Sequence, residues 1–208
     1  MVTKFPSWAM RRLIAAGDLA GVQRAVQENP AKLDAPVTRW NDTPLTWSLN
    51  PKSGPQPVIA RWLIERGASL DLQDHVGWGA LRFACQHKQL DMAELLIHRG
   101  ADLDLQCIDG WSALMSVCKY GPPELGHLLV HHGANLDLQT EKGETALMFA
   151  CSYEQPEMAQ LLIHRGARLN LQNNDGETAL LFACMKGQLE TAQLLIYHGA
   201  GLDVQKTK

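Results

Sequence analysis

Four cysteines, Cys85, Cys118, Cys151 and Cys184, recur in steps of 33 residues. Brought to one point they could bind zinc, which takes thiolates at ~2.3 Å. In pairs they could form disulfides, which need Cα atoms ~4.4–6.8 Å apart. His98, His131 and His164 repeat with the same step, and Asp102, Asp104 and Asp109 add a group of carboxylates. The constant step argues against both chemistries. Equivalent positions in successive helical units stand about 8–10 Å apart, the spacing of packed helices. The four cysteines then read as small buried side chains in a tight place between helices. The histidines read as solvated helix ends, and the carboxylates as solvated turns. Cys107 lies off the ladder, in a turn region, and is expected to be an exposed thiol. No metal and no cofactor is expected.

The sequence holds no G-x-S-x-G, H-E-x-x-H, G-x-x-x-x-G-K-[ST] or G-x-G-x-x-G. It therefore lacks the nucleophile elbow, the zinc-protease helix, the phosphate loop and the dinucleotide turn. The expectation is a protein that is not an enzyme. The alternative is a metal-dependent or enzymatic protein using these Cys, His and carboxylate residues.

The 208 residues are 46% hydrophobic and 20% charged, enough to bury a core, with a formal net charge of -3. A mildly acidic chain without a lysine-arginine stripe is not expected to bind nucleic acid. No apolar run approaches the ~20 residues of a membrane span. The N-terminal stretch lacks the long apolar core of a signal peptide. Reduced thiols and a cytoplasmic location follow as expectations.

What positions all these residues is a repeat. Gly67, Gly100, Gly133, Gly166 and Gly199 are spaced by 33, as are Gly77, Gly110, Gly143 and Gly176. Leu81, Leu114, Leu147 and Leu180 form another such ladder, and Gln73, Gln106, Gln139, Gln172 and Gln205 a fourth. Within one unit, Ala80 to about His87 predicts a short helix, Lys88 and Gln89 break it, and Leu90 to Arg99 predicts a second. Leu90, Ala93, Leu96 and Ile97 lie at helical spacing, while Met92 and Leu95 add apolar surface on another flank. A helix this short and apolar on two sides needs a neighbour on each. Pro123 and Pro156 fall at the start of the second helix, where no amide hydrogen is needed. Gly100 and its equivalents fall just past its end, where a left-handed residue closes the helix. Arg66, Arg99, His132, Arg165 and His198 precede those glycines, at the negative end of the helix dipole.

These features resemble the ankyrin-repeat family. The residues that carry the likeness are Asn41-Asp42-Thr43-Pro44-Leu45, Gly143-Glu144-Thr145-Ala146-Leu147 and Gly176-Glu177-Thr178-Ala179-Leu180. The Ala-Cys pairs at Ala84, Ala150 and Ala183 and the stretch Leu161-Leu162-Ile163-His164-Arg165-Gly166-Ala167 add to it. The likeness is strong over residues 40–205 and weak over the first 39. It implies an all-α solenoid of stacked helix-turn-helix repeats with projecting β-turn fingers. Alanine stands at Ala80, Ala113, Ala146 and Ala179 in place of the family's proline. Thr46, Arg82, Met115, Met148 and Leu181 stand where the family has histidine. Both departures imply modest stability without a change of fold.

The chain divides as one domain, 1–208. A degenerate first repeat covers 7–39, and a second, 40–73, carries a three-residue insertion in its proline-rich loop. Regular repeats follow at 74–106, 107–139, 140–172 and 173–205.

The resemblance implies binding through the fingers and the first-helix face, and the aromatic residues agree. Trp78 and Trp111 share one repeat position with Glu144 and Glu177, and a place that accepts both types is not core. Trp40 stands near the same turn. Trp47, Phe83, Phe149 and Phe182 share an apolar position and read as core, as does Trp62. Arg82, Met115 and Met148 are placed on the first helix, with Lys119, Tyr120 and Tyr153 at its end. Tryptophan, tyrosine, methionine and arginine are enriched at protein interfaces. The expected partner-binding face is therefore Trp40, Trp78, Arg82, Trp111, Met115, Tyr120, Glu144, Met148 and Tyr153. Glu141, Glu144 and Glu177 form its acidic flank.

One protein partner is expected, with the chain acting as an adaptor or as an inhibitor or immunity protein. With no second domain in the sequence, binding alone would be its action, which favours inhibition. The last repeat stays apolar where a capping repeat is usually polar. Weak self-association through that end is a further expectation.

Overall fold

The computed structural model describes residues 7–202, leaving the side chains of Ser7 and Ser53 aside. Gln205, the last rung of the glutamine ladder, and the end of the sixth repeat lie outside the described residues. So does the start of the N-terminal stretch read for a signal peptide. The described residues contain twelve α-helices and no strand. They fall into two compact units, Met1–Cys107 and Ile108–Lys208.

The first unit holds α1 (Ser7–Ala15), α2 (Leu19–Glu28), α3 (Pro44–Leu49), α4 (Pro57–Glu65), α5 (Ala80–Gln86) and α6 (Leu90–His98). The first helices α1, α3 and α5 pack in one row, and α2, α4 and α6 in another. The second unit repeats the plan. Its first-helix row is α7 (Ala113–Tyr120), α9 (Ala146–Ser152) and α11 (Ala179–Met185). Its second row is α8 (Pro123–His131), α10 (Pro156–His164) and α12 (Leu189–Tyr197). The three-residue insertion forms a 3-10 turn, Pro51–Ser53, between α3 and α4.

Local chemistry sets the helix ends. Thr43, Ser112, Thr145 and Thr178 cap first helices, each hydroxyl accepting a backbone N–H from three residues on. Pro57, Pro123 and Pro156 open second helices. The helix-ending glycines adopt positive φ, 84° at Gly100, and the next amide, that of Ala101, donates back to Leu96. The core runs between the two rows of each unit. Leu49 and Leu63 in the first unit, and Leu125 and Leu129 in the second, are fully buried.

The glutamine ladder ties one repeat to the next. Gln73 Nε2 donates to the carbonyls of Gly77 at 2.7 Å and Gln106 at 2.9 Å. Gln139 Nε2 does the same with Gly143 at 2.7 Å and Gln172 at 3.0 Å. A side-chain amide thus satisfies a finger carbonyl and a carbonyl of the following repeat, which explains why glutamine recurs there.

Two cysteine expectations are corrected. Cys107 is buried, because its repeat position is the base of a finger, as for the buried Thr140 and Asn173. Cys184 is exposed, because α11 packs against α9 on one side only among the described helices. The same end shows the apolar surface expected of the last repeat, with Met185, Leu189 and Tyr197 largely exposed.

Candidate functional site

In the first unit, two fingers and the first-helix row enclose a groove. Asp74 builds one finger: its Oδ1 accepts the amides of Val76 at 3.0 Å and Trp78 at 2.8 Å. Thr38 builds the other, its hydroxyl accepting the amide of Trp40 at 3.1 Å. The amide of His75 donates to the Trp40 carbonyl at 2.8 Å and joins the fingers. Trp40 is 46% exposed, with the His75 ring at 4.7 Å on one side and the Arg39 guanidinium 4.2 Å from its ring centre. Trp78 is half-buried. Its indole rests on Phe83 at 5.1 Å and carries the Arg82 guanidinium at 3.9 Å. Trp40, His75, Trp78 and Phe83, with Trp47 beneath Arg11 at 5.8 Å, line a cavity of about 580 Å³.

Asp42 lies on this groove, buried, with the Thr38 hydroxyl donating to it. Burial pushes its pKa up against the lowering pull of Thr38, and the Asp74 charge adds to the rise. A carboxyl with a raised folded pKa weakens the fold once ionised. The penalty is absent below the unfolded value of about 3.9 and complete above the folded one. Asp42→Asn is therefore expected to raise the urea midpoint at pH 7 and to lose that advantage near pH 3. Equal gains at both pH values would contradict this account.

The second unit carries a groove of about 460 Å³. Trp111 is half-buried and lies on Phe149, ring centres 4.3 Å apart. The Lys119 ammonium sits 5.0 Å from the Trp111 ring and 4.8 Å from those of Tyr120 and Tyr153. Burial opposes its charge, but hydrogen bonds and fields from the two tyrosines outweigh that and raise its pKa. Lys119 thus stays a cation at neutral pH inside an aromatic ring. Tyr120 and Tyr153 are 43% and 44% exposed. Glu144 borders the groove, held through its amide by the Thr140 hydroxyl at 3.2 Å; Glu141 is exposed beside it.

The structure brings Trp40, Trp78 and Arg82 together in the first unit, and Trp111, Tyr120, Glu144 and Tyr153 in the second. It does not place Met115 and Met148 on a surface. They are 1% and 2% exposed. Their sulfurs accept the cap amides of Ser112 at 3.5 Å and Thr145 at 3.4 Å. They complete the helix cap from the position where the resembled family carries histidine, and that position was the signal for a structural role. Arg82 is also mostly buried, at 8% exposed, and acts by covering Trp78. Sequence reasoning missed Arg11, Arg39 and His75. The adjacency of Arg39 and Trp40 was a visible signal; the others meet the site only through folding.

Three cysteines of the ladder, Cys85, Cys118 and Cys151, are held inert by burial, while Cys184 is exposed. Burial pushes the Cys85 and Cys151 thiols up to about 12 and raises Cys118 as well. Among the described residues no three His, Cys, Asp or Glu side chains converge as metal ligands. No described helix is long and apolar enough to cross a membrane.

A sequence profile described as ankyrin repeats (3 copies) matches residues 10–107, 81–173 and 114–207. Curated protein sequences give no match. Among solved structures, the chain is similar to the ankyrin repeat domain of Bcl-3, described as a unique member of the IkappaB protein family. That likeness has a TM-score of 0.81 at 28% identity, and covers 94% of this chain and 88% of the other.

Proposed function

The chain belongs to the ankyrin-repeat family, and from that premise we propose that it is a non-enzymatic module that binds a protein partner through its finger-side grooves. The observation that carries the reading is the set of indoles and phenols left in water at the groove rims. Trp40, Tyr120 and Tyr153 are each more than two-fifths exposed, and each stands beside a cation. Tryptophan, tyrosine and arginine dominate interface energetics, and a few anchors carry most of the binding. Its fingers are pinned by backbone bonds, so little conformational entropy is lost on docking. Its action is to occupy a partner's surface, as an adaptor or an inhibitor.

Capture of partners from lysate with the wild-type chain and with Trp40→Ala tests this. The indole is half in water, so the variant keeps its helical circular dichroism and loses partner affinity by about tenfold or more, one anchor's share. An unchanged set of captured proteins at unchanged affinity would refute the assignment of this groove.

A further inference from the structure

We propose that the groove of the first unit is built for an acidic protein segment, with carboxylate side chains on its rim and one apolar side chain in the cavity that Trp40, Trp47 and Trp78 line. The inference deepens the binding reading above and rests on it. The first support is how the groove's own charges are disposed. Its carboxylates are tied to the fold: Asp42 is buried and takes the Thr38 hydroxyl, and the half-buried Asp74 takes two finger amides. Its cations face outward. Arg11, Arg39 and Lys52 are exposed, and among the described residues none of them pairs with a carboxylate. The imidazole of His87, on the same wall, has its pKa lowered by burial and adds no charge at neutral pH.

The geometry of the cations supplies the second support. Arg11 and Arg39 lie over the rings of Trp47 and Trp40. A guanidinium drawn to the face of an indole still has N–H groups to offer a ligand. Those groups match a carboxylate with two parallel hydrogen bonds. Charge distribution agrees. Residues 1–107 carry twelve basic and eleven acidic side chains, whereas residues 108–208 carry seven and eleven. The cationic rim is therefore a local feature of a chain that is acidic as a whole.

A basic aromatic groove is also the general form of a single-strand nucleic-acid site, where bases stack on aromatic faces. Here the faces of Trp40 and Trp78 already carry arginines at 4.2 and 3.9 Å. A base would have to displace them, while a carboxylate uses the exposed Arg39 where it stands.

The test uses the full chain and fluorescence anisotropy with three labelled probes. One is a short peptide of glutamates around a central leucine, one has lysine for each glutamate, and one is oligothymidylate. The acidic peptide is expected to bind at least tenfold more tightly than the lysine peptide, and its affinity to fall with added salt. The double variant Arg11→Glu with Lys52→Glu, both exposed, is expected to weaken the acidic peptide tenfold or more with unchanged circular dichroism. The proposal is overturned if neither peptide binds, if the lysine peptide binds as well, or if oligothymidylate displaces the acidic peptide. Tight binding of the lysine peptide that Trp40→Ala abolishes would overturn the charge assignment and leave the groove as a docking site. Partner capture unaffected by Trp40→Ala would instead remove the broader reading.

Discussion

Leu147→Ala is expected to lower the stability of the folded chain by about 2–5 kcal/mol, the range for truncating a buried leucine. The side chain is 1% exposed on α9, and α9 packs against both α7 and α11. The cavity is walled by helices of two neighbouring repeats and cannot collapse without separating them. Leu180 holds the same repeat position on α11, at 7% exposed, with α9 on one side. Leu180→Ala is expected to cost less, because only one neighbouring first helix walls the gap. Urea unfolding of both variants, with m-values compared, checks the order. Repeat arrays can lose cooperativity, and a falling m-value would show that the weakened repeat opens first. A loss at Leu180 as large as at Leu147 would mean that burial in this stack does not depend on a second neighbour.

Why those leucines could be read from sequence, and the groove only in part, has a physical basis. The core ladder is a local rule applied again and again: a cap, a leucine, a glycine, each at a fixed offset. Such a pattern needs no knowledge of which repeat touches which. Helix bounds followed from it; Ala80–Gln86 and Leu90–His98 fall within a residue of expectation. The grooves arise differently. Trp78 and Trp111 looked like free finger tips because their repeat position also accepts glutamate. Folding instead lays each indole on a phenylalanine, so much of its surface is spent on the core. Met115 and Met148 looked like interface residues by composition. Their sulfurs turn out to cap a helix, a role that depends on the rotamer and on the hydroxyl three residues before. Cys107 looked exposed because turns usually are, yet the base of this finger is buried. Arg11 approaches Trp47 from another repeat, and no local spacing announces that meeting.

The fingers themselves yield the other large effect. Gly143→Ala is expected to destabilise the chain well beyond Gly166→Ala, although both glycines have positive φ, 77° and 84°. Left-handed backbone alone costs a non-glycine residue about 1–2 kcal/mol, and both variants carry that strain. At Gly166 a Cβ meets nothing within 4 Å. At Gly143 it comes within 2.9 Å of the Asn173 Cα and 3.0 Å of the Asn174 Oδ1. Backbone cannot rotate away as a side chain does, so the two fingers must separate. Their separation strains the Asn174 amide bond to the Lys142 carbonyl, 2.9 Å, and the Asn174 side-chain bond to the Glu141 carbonyl, 2.9 Å. Overpacking of this kind adds about 1–3 kcal/mol. The displaced finger also carries Glu144 at the edge of the groove that holds Trp111 and Lys119. Gly143→Ala is therefore expected to loosen that groove as well, read as greater accessibility of Trp111 to acrylamide quenching in a background where the other tryptophans are phenylalanine. Gly166→Ala leaves the quenching unchanged. Equal losses of stability for the two variants would show that the close approach between fingers yields freely, and that the glycine there answers only to its φ.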